Sequence, residues 1–192
     1  MEKRAEILNR YSRQMLIPNF GLSGQEKLLS SKVLVVGAGG IGSTVCMYLA
    51  SAGIAIHVMD HDSVELSNLH RYGYQFNYHS TARIVVKNSL YAMFARQILH
   101  SESNIGKNKA ISAVERLSVL NSAVQCQHIS EALSYDNAAL IIPNYDLVID
   151  ATDNFEARYI INDACVLSGV PFISGSSVGL EGQVRVVIPY LR

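Results

Sequence analysis

The stretch that most constrains this chain lies between Lys32 and Asp62, KVLVVGAGGIGSTVCMYLASAGIAIHVMDHD. Lys32–Val36 is a short apolar, β-branched run, the mark of a strand covered on both faces. Gly37-Ala38-Gly39-Gly40-Ile41-Gly42 follows at once. In a strand–turn–helix unit of this kind Gly37 makes the tight turn, Gly39 lets a phosphate approach the backbone and Gly42 lets the helix pack close to the strand. Ile41–Ala52 then reads as a helix that Gly53 stops. Its first turn offers free N–H groups and the positive end of a dipole, which suit an anion. Ile56–Met59 reads as a second strand, with Asp60 at its carboxyl end. Asp60 lies 23 positions after Gly37, close to the spacing at which an acid holds a ribose.

The remaining elements extend this unit. Met1–Leu16 reads as an amphipathic helix or two short ones, with Leu8, Tyr11 and Met15 on one face. Pro18 to Gly24 reads as a break, and Gln25–Ser30 as a short helix before the first strand. Lys109–Leu120 is an amphipathic helix in which Ile111, Val114, Leu117 and Leu120 recur at three-residue steps. Val124–Ile129, Leu147–Ile149, Pro171–Ser174 and Gln183–Ile188 read as strands. Tyr135–Ile142 and a run to Leu167 read as helices, the second capped by Asp153 or Asn154 and stopped by Gly169. Strands alternating with helices predict a Rossmann-like α/β fold, a mainly parallel sheet with helices on both faces.

The 192 residues fit one domain of ordinary size. A formal net charge of zero leaves no electrostatic footprint for nucleic acid, so direct nucleic-acid binding is not expected. Cys46, Cys126 and Cys165 lie within apolar elements and form no C-x-x-C pair; they read as core residues in a reducing compartment. The charged start, MEKRAEILNRYSRQ, has no apolar core of a signal peptide. No apolar run reaches membrane-spanning length. A cytoplasmic chain without membrane contact is expected.

The loops at the carboxyl rim of the sheet carry the polar chemistry. The second strand leads into HDSVELSNLHR, with Asp62, Asn68 and Arg71. The strand ending at Asp150 leads to Asp153 and Asn154, and Lys107 and Lys109 open the helix after Gly106. An acid for ribose, cations for phosphates and a further acid for Mg²⁺ describe an ATP site.

Six runs, in this order, carry a resemblance: R-Y-S-R-Q (Arg10–Gln14), G-A-G-G-I-G, D-H-D-S-V-E-L-S-N-L-H-R, G-K-N-K-A (Gly106–Ala110), D-A-T-D-N (Asp150–Asn154) and E-G-Q (Glu181–Gln183). Together they resemble the MoeB/ThiF type of the ubiquitin-activating-enzyme superfamily. The resemblance implies ATP- and Mg²⁺-dependent adenylation of the C-terminal glycine of a ubiquitin-fold sulfur-carrier protein, serving tRNA thiolation, molybdenum cofactor synthesis or both. It places Gly37, Gly39, Gly40 and Gly42 against the nucleotide and Asp60 on the ribose. Asn68, Arg71 and Lys109 face the phosphates, Ser67, Leu69, His70 and Gln97 also belong to the nucleotide site, Asp153 holds Mg²⁺, and Asn154 stands beside it. Asp62 either joins the site or braces its loop. Arg13 acts in trans on the partner subunit of a homodimer; together with Arg71, Lys109 and Asp153 it forms the implied catalytic set.

Two departures from the family pattern bear on organisation. The family continues past E-G-Q into a segment with C-x-x-C zinc pairs and a reactive cysteine, whereas this sequence stops at Arg192. No zinc is therefore expected in it, and it reads as an N-terminal helical arm, 1–31, followed by an adenylation domain, 32–192, truncated at its C-terminus. The second departure is Tyr72–Ala95. Between Glu65 and Glu102 there is no acidic residue, and four of the ten tyrosines fall in these 24 residues. Removing Tyr72–Arg96 restores S-N-L-H-R-Q, so the segment reads as an insertion, either a retained intron or a true loop. Three other readings stay open: an inactive product that still dimerises or binds a carrier, a tRNA-modifying adenylating dehydratase, and an NAD-dependent dehydrogenase.

Overall fold

The computed structural model describes residues 8–69, 97–178 and 181–190. The insertion read at Tyr72–Ala95 lies outside them, as do His70 and Arg71. Two helices, α1 (Ser12–Met15) and α2 (Gly21–Ser30), lead into β1 (Lys32–Val36). Then come α3 (Gly40–Ala52), β2 (Ala55–Met59), α4 (Leu66–Leu69), α5 (Lys109–Leu120) and β3 (Cys126–Ile129). The second half holds α6 (Tyr135–Ile141), β4 (Leu147–Asp150), α7 (Phe155–Ser168), β5 (Phe172–Val178) and β6 (Glu181–Val187).

The six strands form one sheet in the order β3-β2-β1-β4-β5-β6. Every pairing from β3 to β5 is parallel, and β5 pairs antiparallel with β6. The mainly parallel expectation holds. Its exception follows from chain length: β5 and β6 are joined by two residues, enough for a hairpin and far too few for a crossover.

The uniform apolar character of β1 is explained by what covers it. Val33 and Val35 pack with Cys46 and Ala50 of α3 and with Ala110, Ala113 and Leu117 of α5. Leu34 and Val36 face the other way, toward Ala138 of α6 and Ile160, Ile161, Ala164 and Cys165 of α7. Alternate residues of one strand thus feed two cores, one on each face.

Several local expectations need correction. The break read at Pro18 to Gly24 ends sooner, because α2 already begins at Gly21. The strand read at Pro171–Ser174 runs on to Val178, since its hairpin partner supplies hydrogen bonds beyond the parallel ladder. In α5 the buried face is Ala110, Ser112, Ala113 and Leu117, whereas Leu120 is exposed. Small residues let this helix lie close to the sheet, and a search for large apolar residues passes over them. Of the two caps read for α7, Asn154 takes the role as expected, its side chain accepting from the Glu156 amide at 2.8 Å.

Candidate active site

In the sheet order β1 lies between β2 and β4, so strands are added on one side of β1 as far as β3 and on its other side from β4 onward. At such a switch point the carboxyl ends of neighbouring strands open a crevice. The loop after β1 is Gly37–Gly39, and the loop after β4 is Ala151–Asn154. They touch: a Cβ on Gly37 would lie 2.7 Å from the Ala151 carbonyl oxygen, and the Gly37 φ of 97° favours glycine besides. Gly42, one turn into α3, lies against the Gly37 carbonyl, which a Cβ there would reach at 1.8 Å. Gly39 has no atom within 4 Å of an added Cβ. The loop is therefore closed on its protein side and open at Gly39. Gly40 begins α3, whose first turn has no acidic residue and no side-chain cap among the described residues. These free amides fit a phosphate.

Asp60 closes the loop from the β2 side. One carboxylate oxygen accepts from the Ala38 amide at 2.7 Å and the other from the Asp62 amide at 2.8 Å. Each oxygen keeps a second lone pair, so a ribose hydroxyl can still be received.

The segment after Asp60 is stitched to the turn before α5. The Val64 amide donates to the Lys107 carbonyl, and the Gly106 amide to the Val64 carbonyl, both at 2.8 Å. Asn108 caps α5 with its side-chain oxygen and donates from Nδ2 to the Asp60 carbonyl at 2.8 Å. Lys109 is buried, and its Nζ sits 2.7 Å from Asp62 Oδ2. The hydrogen bond from Lys109 holds the Asp62 carboxyl below its usual value. Asp62 thus braces the loop and fixes the one buried lysine among the described residues.

The β4 loop is held by a carboxylate too. Asp150 is buried and accepts from the Thr152 amide, the Thr152 hydroxyl and the Ser174 hydroxyl. Arg158 of α7 donates to the Thr152 carbonyl at 2.7 Å. With Asn154 spent as the cap, Asp153 projects from a fixed loop as an exposed carboxylate. A single carboxylate beside a phosphate subsite is the donor set Mg²⁺ takes, so the residues fit that ion. Asp60, His61 and Asp62 also cluster closely enough to suggest a metal site. Their oxygens already serve Ala38, the Asp62 amide and Lys109, which fits a brace better.

Beside the β4 loop lies a cleft of about 240 Å³ lined by Arg158, Tyr159, Ser174, Gln183 and Arg185 among others. It brings Gln183 of the E-G-Q run to the same rim.

The remaining expected residues fall as follows. Ser67 is exposed and donates to Glu65 at 2.9 Å. Asn68 and Leu69 lie in α4. Gln97 is buried, and its Oε1 has no partner among the described residues. Arg13 is exposed at the opposite end of the molecule. Its neighbours Tyr11 and Gln14 anchor the arm at the C-terminus of α3: Tyr11 is buried beside Gly53, and Gln14 donates to the Ala52 carbonyl at 3.1 Å. Gln14 and Gln25 also bond to each other. Reading from sequence missed Asp150, Arg158 and His100, which hold the backbone of other residues, and Ser112, which holds the His100 ring.

Comparison with known proteins agrees with this architecture. The chain matches the ThiF family over residues 11–89 and 92–191. It is 44% identical over 184 residues to the mouse protein named adenylyltransferase and sulfurtransferase MOCS3, covering 95% of this chain and 34% of that protein. The Arabidopsis thaliana protein of the same name is 42% identical over 178 residues, covering 92% of this chain and 33% of that protein. Among solved structures, E. coli MccB with ATP superimposes with a TM-score of 0.74 at 28% identity, over 95% of this chain and 49% of that one. MccB with MccA-N7isoASN gives 0.75 at 28% identity, over 94% and 48%. The fold is that of a Rossmann-like α/β protein of the MoeB-like class. The chain belongs to the ThiF family, and it spans about a third of the length of the curated relatives it matches.

Proposed function

We propose that this chain adenylates the C-terminal glycine of a ubiquitin-fold sulfur-carrier protein at the expense of ATP, for tRNA thiolation or molybdenum cofactor synthesis. The observation that carries the reading is the pairing, across one switch point, of an uncapped α3 N-terminus with a projecting Asp153. A triphosphate requires both an anion cradle and a metal ligand, whereas a dinucleotide requires only the first. The ATP-bound MccB neighbour and the name of the mouse relative support the same choice.

In this reading Gly37–Gly40 receive the phosphates, Asp60 the ribose, and Asp153 a Mg²⁺ ion that offsets phosphate charge. The carrier's terminal carboxylate, entering by the cleft with Arg158 and Arg185, attacks the α-phosphorus. The bond to the β-phosphate oxygen breaks, pyrophosphate leaves, and a mixed acyl-phosphate anhydride with AMP remains. Arg71, Lys109 and a partner's Arg13 supply cations to the departing charge. Residues 1–31 form the arm that carries Arg13, and 32–192 form the adenylation domain.

The test is exchange of labelled pyrophosphate into ATP by the purified chain with a carrier ending in Gly-Gly. Exchange that depends on carrier and Mg²⁺ supports the reading. Exchange without carrier, or none even after deletion of 72–96, sinks it. A second reading rests on the insertion: with Arg71 and Gln97 held apart, the chain dimerises but turns over weakly, and the deletion raises its rate.

A further inference from the structure

His100 has no part in the reading above, yet it is buried directly behind the glycine loop. Its Nε2 lies 2.8 Å from the Ala38 carbonyl oxygen, and its Nδ1 lies 2.9 Å from the Ser112 hydroxyl of α5. A carbonyl oxygen only accepts, so Nε2 carries the proton and the neutral ring leaves Nδ1 to accept from Ser112. Burial holds the ring's pKa below its usual value, opposed in part by the Ala38 hydrogen bond and by Asp60, and reinforced by Lys109. The amide of the same residue, Ala38, donates to Asp60. Ala38 is thus gripped at its N–H by Asp60 after β2 and at its C=O by His100, which is itself seated on α5, with the Ser43 hydroxyl of α3 donating to the same carbonyl at a longer 3.2 Å. It stands between the Gly37 turn and the open Gly39.

We propose that His100 is a positioning residue for nucleotide binding: as the Nε2–H tautomer, seated on Ser112, it fixes the Ala38 carbonyl and so the orientation of the peptide that leads into Gly39. The proposal rests on the reading of this loop as the ATP cradle. Ser112 explains why a polar residue occupies the buried face of α5, and His100 explains how α5, which does not line the loop, controls it. Geometry of this kind matters because amides aimed at a ligand lose their effect when the loop is free to turn away.

Three substitutions of the full chain separate positioning from mere packing. Glutamine places an amide Nε2 near the position of the histidine Nε2 and keeps the bond to Ala38. Asparagine reaches only toward Ser112. Leucine fills the space and makes neither bond. The measurement is Mg·ATP affinity by calorimetry at a temperature where circular dichroism shows each variant fully folded. We expect His100→Leu and His100→Asn to weaken binding about tenfold, as loss of one buried hydrogen bond implies, and His100→Gln to stay within about threefold of the parent. Should the leucine variant not fold, Ser112→Ala takes its place, and nitrogen-15 shifts of His100 in the parent chain report the tautomer directly. A parent chain that binds no Mg·ATP overturns the cradle reading and this proposal with it. A parent that binds while all three variants bind equally, or a ring protonated at Nδ1 alone, overturns the proposal and leaves the cradle standing.

Discussion

Gly42 lies so close to Gly37 that a Cβ on the former would meet the carbonyl oxygen of the latter at 1.8 Å. The partner atom is backbone and belongs to the loop itself, so it cannot turn aside as a side chain would. Gly42→Ala is expected to destabilise the fold by about 3 kcal/mol, the upper range for overpacking a well-filled site. Gly39→Ala meets open space and is expected to cost less stability while weakening Mg·ATP binding more. Denaturant melts and ATP titrations of the two variants check this; equal losses of stability would contradict it.

A second prediction concerns the Lys109–Asp62 pair. Asp62 titrates below its usual value because Lys109 bonds to it. A depressed carboxyl contributes stability that is present above the unfolded value and lost as pH falls through the folded one. Lys109→Met is therefore expected to raise the Asp62 pKa toward its ordinary value, followed by carbon-13 NMR. Its stability deficit against the parent should shrink as pH falls below that value. An unchanged Asp62 titration would mean that the pair does not form in solution.

How much of this was legible in the sequence depends on the kind of interaction. The βαβ unit was legible because strand, turn and helix each leave a local period, and Gly37 to Asp60 span one unit. The order and placement of the rim loops followed from it. The braces were not legible. Asp150 looked like a strand end, and His100 and Ser112 looked like ordinary polar residues. Their partners leave no local period: His100 bonds the Ala38 carbonyl across 62 positions, Ser112 bonds the His100 ring, and Asp150 takes the Ser174 hydroxyl of β5. Asp62 was left between two roles for the same reason: the choice depended on where Lys109 Nζ would lie.

The buried histidines set an acid limit. His57 is buried against the Tyr145 hydroxyl at 2.8 Å, and burial lowers the pKa values of both His57 and His100. The unfolded chain therefore binds more protons near pH 6 and below, so stability is complete above the ordinary histidine value of about 6.5 and falls as pH drops beneath it. Melts between pH 8 and pH 5 are expected to show this loss, and His57→Phe to reduce its slope. A melting temperature that is flat over the range would rule it out.

The three cysteines are expected to be inert in the folded chain. Burial pushes the thiols of Cys46 and Cys165 up to about 12 and that of Cys126 up to about 11. The thiolate is the reactive form, so alkylation at pH 8 should be slow until denaturant is added, and the triple serine variant should keep any pyrophosphate exchange if it folds. Rapid labelling of one cysteine in the native chain would assign it a role that the reading above does not contain.

Arg13 provides the test of assembly. The arm residues flanking it are pinned at Ala52 and Gly53, whereas the glycine loop lies at the other end of α3. Thirteen residues of helix separate the two ends by about 20 Å, well beyond the length of an arginine side chain. Within one chain, Arg13 does not reach the crevice, so a role for it at a phosphate needs a second copy. The expected arrangement is a two-fold dimer in which each arm serves the neighbour's site. Arg13→Ala and Asp153→Ala chains, each inactive alone, are then mixed after mild denaturation. In the hybrid, the Arg13→Ala subunit keeps its own Asp153 and receives a native Arg13 from its partner. Half of the dimers are hybrids with one good site in two, so about a quarter of the parent's pyrophosphate exchange should return. Arginine acting within its own subunit predicts no recovery at all, because each subunit of the hybrid would then lack one of the two groups.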